Sequence, residues 1–107
     1  MSNQLPAPAQ RFIDATNSEN LEELLDTFTP DGFVKDFGRV FTGRDEIKRW
    51  SDAEHIGTHN RITVTSVTNH GDHAVARISV SGEGYNGPGS FDFTVTGDEL
   101  RSLVISG

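Results

Sequence analysis

Asp36, in the stretch Phe33 to Trp50 (FVKDFGRVFTGRDEIKRW), is the carboxylate whose neighbours best suit it to move a proton. It ends a short strand just before Gly38, and the next helix carries Ile47 and Trp50 on its apolar side, so one segment supplies both a carboxylate and an apolar wall. Beside Phe12 and Trp50 it reads as a general base. The bland reading is a strand-end carboxylate, solvated or paired with Arg39. Val34 shares the face of Asp36 by alternation, and Phe33 and Phe37 fall on the other.

The 4 histidines invite a metal reading, because His55 and His59 stand at i, i+4 and His70 and His73 bracket a turn. Gly57 breaks the helix between the first pair and no carboxylate sits at familiar ligand spacing, so no metal site is expected. His55 keeps a separate interest. Following the third helix, it is a proton shuttle at a pocket mouth or an exposed helix-end histidine interacting with the dipole. The chain has no cysteine, which removes disulfides, thiolate zinc sites and cysteine nucleophiles together. No serine lies in a nucleophile elbow, and no helix follows Gly82, Gly84, Gly87 and Gly89 to make a phosphate cradle. No cofactor is expected. Trp50 reads as core, or as a cavity wall with its N–H partnered. Tyr85, in the glycine-rich link, reads as a flexible rim or as a surface or interface residue.

The elements that position these residues are legible as a change of period. Met1 to Leu5 reads as a loose arm. Ala9, Phe12, Ile13 and Thr16 fall at i, i+3, i+4, i+7 and predict a helix ending near Asn17. Asn20 with Glu23 resembles a capping box, and Leu21, Leu24, Leu25 and Phe28 repeat the helical spacing more clearly than any other segment. Thr29-Pro30-Asp31-Gly32 fits a type I turn. Short strands follow at Phe33 to Phe37 and Arg39 to Phe41, and Thr42 with Asp45 caps a third helix running to about Glu54. Strands are then expected over Arg61 to Thr68, His73 to Ser81, Ser90 to Thr96 and Leu100 to Ser106.

Helices first and then an antiparallel meander imply an α+β fold, with three N-terminal helices covering one face of a curved, mainly antiparallel sheet of about six strands. Phe91, Phe93 and Val95 share one strand face, as do Ile78 with Val80 and Ile62 with Val64. A wall of Phe12, Trp50, Phe91 and Phe93 around a small apolar molecule is the expectation.

The 107 residues allow one domain, and 34% hydrophobic residues allow only a small core, so an oligomeric interface is expected to contribute stability. A net charge of -7 repels phosphate backbones and anionic membrane surfaces, which argues against nucleic-acid and membrane partners. No apolar run is long enough for a signal peptide or a membrane span, and a cytoplasmic location is the default.

The run NLEELLDTFTPDGFVKDFGRVFTGRDEIKRW, Asn20 to Trp50, resembles the second helix, turn, aspartate-bearing strand and third helix of the nuclear transport factor 2-like superfamily, in its SnoaL-like and ketosteroid-isomerase-like branch. The resemblance covers Phe12 to Ile105. It implies a cone-shaped α+β barrel with a deep apolar pocket, commonly in a homodimer packed through the outer sheet face. In the isomerases of that branch an aspartate matching Asp36 moves a proton beside a carbonyl, and two donors hold the oxyanion. Here Phe12 matches the first donor, and the second falls near Phe91, with Asp92 one residue out of register and facing away. Losing one such donor costs about 2.7–4 kcal/mol, so the usual steroid isomerisation is not expected. What the resemblance implies is a small-molecule pocket with isomerase, cyclase or dehydratase chemistry through Asp36, or a non-catalytic binding module or dimeric interaction scaffold.

Overall fold

The computed structural model describes residues 4–107. Its first helix, α1 (Ala7–Asn17), carries Pro8 in its opening turn, where a missing N–H costs nothing, and buries Phe12, Ile13 and Thr16 on the face their spacing predicts. Of the expected arm, residues 1–3 lie outside the described residues. Leu5 packs against the core, and the Gln4 carbonyl accepts from Asn69 Nδ2 at 3.0 Å.

Helix α2 (Leu21–Asp26) has the clearest apolar spacing in the sequence, yet it is the shortest of the α-helices, with 6 residues. Phe28, the fourth apolar residue of its pattern, already belongs to the first strand, β1 (Phe28–Asp36). The start of α2 follows expectation: Asn20 Oδ1 accepts from the Glu23 N–H at 3.1 Å. Asn20→Ala should therefore lower stability by about 1 kcal/mol in thermal melts, and an unmoved midpoint would show that this cap carries no weight.

The segment Thr29 to Gly32, expected as a free turn, is instead an irregularity inside β1. The Leu100 N–H donates to the Thr27 carbonyl, and the parallel register to the last strand slips between Phe28↔Leu100 and Phe33↔Ser102. Tertiary pairing at both ends of the segment holds the turn-forming residues within the sheet.

β1 turns back into β2 (Arg39–Thr42) through Phe37 and Gly38, whose φ values of 49° and 89° are those of a type I′ turn. Strand alternation therefore stops at Asp36, and Phe37 does not lie on the outer face with Phe33. Helix α3 (Gly43–Glu54) starts at Thr42, but neither the Thr42 hydroxyl nor Asp45 closes its cap. Glu46 reaches back instead, its Oε1 accepting from the Thr42 N–H at 2.8 Å. A 3₁₀ turn, Ile56–Thr58, leads into β3 (Arg61–His70), β4 (His73–Ser81), β5 (Gly87–Thr96) and β6 (Glu99–Ser106).

One sheet of six strands results, in the order β2-β1-β6-β5-β4-β3. All neighbours are antiparallel except β1 and β6, so the sheet is mixed, and it stays open with β2 and β3 as edges. The inner face carries Phe91, Phe93, Ile78, Val80 and Ile62 against Phe12, Ile47 and Trp50 of the helices. Asp92 lies on the outer face, bonded to His73 Nδ1 at 3.1 Å, as alternation predicts.

Candidate functional site

The open end of the cone gathers residues from four places in the chain. Asp36 is the last residue of β1, directly opposite Arg39 in the hairpin register. Trp50 and Glu54 come from α3, His55 is its C-cap, and Tyr85 comes from the link between β4 and β5. Together with Phe91 and Phe37 they wall a chamber of about 70 Å³, closed off below by Ile62 and Val80. Asp36, Phe37, Glu54 and Tyr85 also line an outer vestibule of about 380 Å³.

The Asp36 side chain is 14% exposed, so it faces the cone with limited access to water. Its Oδ2 accepts from Trp50 Nε1 at 3.0 Å and from Arg39 at 3.2 Å. Both partners use the same oxygen, which leaves Oδ1 an open acceptor among the described residues. Arg39 is held mainly by Glu54, through two bonds of 2.7 and 2.6 Å, and that bond is the leading cause that lowers the Glu54 pKa and raises that of Arg39. Asp36 is thus paired with Arg39, as one sequence reading had it, and it also borders a cavity.

His55 is not an exposed helix-end residue. It is 2% exposed, with its ring stacked on Trp50 at 4.5 Å and on Phe12 at 5.4 Å. Burial pushes its pKa down to about 3, so it is neutral at physiological pH. Its Nε2 lies 2.8 Å from Thr16 Oγ1, and that hydroxyl donates to the Phe12 carbonyl at 2.9 Å. With the threonine proton so engaged, the imidazole must donate from Nε2, which leaves the lone pair on Nδ1. His59, four residues on, is on the surface, where Glu19 Oε1 at 2.9 Å raises its pKa.

The predicted wall divides in two. Trp50 and Phe91 line the chamber, whereas Phe12, Val34 and Phe93 are fully buried in the core behind it and do not. Tyr85 is 54% exposed at the rim, fixed by its hydroxyl donating to the Pro88 carbonyl at 2.6 Å. Sequence reasoning did not select Phe37, Glu54, Asn60 and Ile62 for the chamber. Glu54 carried a signal as the last helical residue before His55, and Ile62 through the alternation that put it on the inner face of its strand. The cone is also fuller than the resemblance implied, because Phe12, His55 and Trp50 stack through its centre.

Comparison with known proteins agrees with this geometry. Residues 9–103 match the family model of the SnoaL-like domain. No curated protein matches the sequence significantly. Among solved structures, a candidate polyketide cyclase from Sinorhizobium meliloti superposes with a TM-score of 0.88 at 29% identity over 95% of each chain. A hypothetical protein with a ketosteroid isomerase-like fold from Catenulispora acidiphila, solved in complex with trimethylamine, superposes at 0.82 with 23% identity over 97% of this chain and 87% of its own. RV0760c from Mycobacterium tuberculosis, in complex with estradiol-17beta-hemisuccinate, reaches 0.82 at 14% identity over 95% and 93%. Three helices on an open, curved sheet make the nuclear transport factor 2-like cone, and with its sequence matched over residues 9–103 the chain belongs to the SnoaL-like domain family.

Proposed function

We propose that the chain binds a small, largely apolar molecule at the open end of the cone, where Asp36 and His55 are the polar groups it meets. The observation that carries this reading is the open Oδ1 of a largely buried carboxylate on the wall of an otherwise mostly apolar chamber. Relatives of the same fold that hold small molecules support it. Isomerisation, cyclisation or dehydration through Asp36 is the chemical form of the same reading, favoured by a carboxylate and a neutral imidazole lining one chamber. Chemistry that needs an oxyanion hole is disfavoured, because Phe12 and Phe91 offer no donor.

A second reading, a scaffold with a filled cone, is favoured by the size of the inner chamber. About 70 Å³ falls well short of the roughly 300–1,000 Å³ of ordinary ligand pockets, and a ligand must extend into the vestibule. In either reading the protein is a cytoplasmic homodimer joined through the outer sheet face, around Val75 and Val104. Sedimentation of a variant with Val75→Glu and Val104→Glu tests the interface.

Asp36→Asn tests the site. It keeps an acceptor for Trp50 Nε1 and leaves Arg39 on Glu54, so stability should change by less than about 1 kcal/mol. Ligand affinity or turnover should fall by about tenfold or more, since a charge-assisted bond is replaced by a neutral one. A large loss of stability with binding untouched would assign Asp36 to structure alone.

A further inference from the structure

The polar groups of the chamber are of one kind. Each donor on its wall already has an acceptor within the protein: Trp50 Nε1 on Asp36, Asn60 Nδ2 on the Glu54 carbonyl, Tyr85 Oη on the Pro88 carbonyl and His55 Nε2 on Thr16. What stays open to a ligand is an acceptor, Asp36 Oδ1.

Charge points the same way. Asp36 and Glu54 contribute two negative charges, Arg39 one positive and the neutral His55 none, so the site sums to -1 within a chain of net charge -7. A cation is drawn in and an anion repelled.

The rim adds aromatic rings. Phe37 and Tyr85, 63% and 54% exposed, border both the chamber and the vestibule. Phe37 sits at a left-handed φ of 49°, in a turn position that asparagine or glycine fills without strain. An exposed phenylalanine kept at such a position is the pattern of a ligand clamp, where local strain is retained for contact. The chamber's volume of about 70 Å³ is small beside the roughly 300–1,000 Å³ of ordinary ligand pockets, which suits a compact group.

We infer that the chamber takes the protonated head of a small alkylamine, its N–H donating to Asp36 Oδ1, its methyl groups against Trp50 and Phe91, and the rings of Phe37 and Tyr85 closing over it. The rest of such a ligand lies in the vestibule. The inference rests on the chamber's being a binding site and adds the ligand class.

Trp50 is the only tryptophan, so its fluorescence reports on the site. Titration with trimethylammonium chloride against tert-butanol, a neutral molecule of similar shape, at constant ionic strength separates the ideas. Trimethylammonium should bind about tenfold or more tightly than tert-butanol, and Asp36→Asn should erase that preference. Phe37→Asn should raise the melting temperature and weaken trimethylammonium binding, which keeps the test open should Asp36→Asn fold poorly. Equal or tighter binding of tert-butanol overturns the amine inference and leaves the pocket. No response to either molecule overturns both.

Discussion

The stability of the protein is expected to fall steeply with acid through His55, and His55→Phe is expected to remove that dependence. The folded ring has its pKa pushed down to about 3 by burial, against an ordinary 6.5 in the unfolded chain. Between these values the unfolded chain binds a proton that the folded one does not. Stability from this group is therefore full above pH 6.5 and is lost as pH falls toward 3, at roughly 1.4 kcal/mol per pH unit. Phenylalanine can keep the stack on Trp50 and Phe12, and Thr16 keeps the Phe12 carbonyl as its acceptor. Denaturant melts of the two proteins between about pH 6.5 and 4 should diverge by this slope. Parallel curves would show that His55 is protonated or solvated in the folded state. His59 and His73 act in a different window: their carboxylate partners raise both pKa values, so what they contribute is present below pH 6.5 and lost as pH rises through the raised values. Both are exposed, and near neutrality His55 alone should dominate.

Gly57→Ala is the second large effect. An added Cβ would collide with the Asp52 carbonyl oxygen, within the backbone of α3, where no side chain can yield. The 3₁₀ turn must lift off the helix, and the loss should reach or exceed the upper end of the roughly 1–3 kcal/mol typical of overpacking. Gly71→Ala is the control. Gly71 has a φ of 61° with nothing near its absent side chain, so only backbone strain of about 1 kcal/mol is expected. Because the turn carries His55 into the cone and Asn60 onto Glu54, Gly57→Ala should also shift Trp50 fluorescence. Equal losses in the two variants, with that fluorescence unmoved, would show that the close approach of turn and helix has no energetic weight.

Gly57 illustrates how far the sequence could be read. It marks a helix end in any local reading, and α3 does stop at Glu54. The requirement for glycine, however, comes from contact between the turn and the helix it ends. Asp36 was legible for a similar reason, since its place at a strand end before a tight turn is a local property. Asp92 was legible too, because a period of two fixes its face. His55 was not. A histidine beside a helix-ending glycine looks solvent-facing, and its burial depends on Thr16, 39 residues away in the chain.

By itself the sequence determined the α+β order, the element boundaries other than the start of β1 to within a few residues and the faces of the inner strands, because periodicity, caps and turn residues act over a few positions. Tertiary structure decided that Thr29 to Gly32 stays in the sheet, that Glu46 closes the cap of α3, that Phe37 leaves the strand and that His55 lies neutral between rings. It also decided how little of the cone stays empty. Cavity volume is a small difference between the space a curved sheet encloses and the summed volumes of distant side chains, and no local pattern encodes that difference.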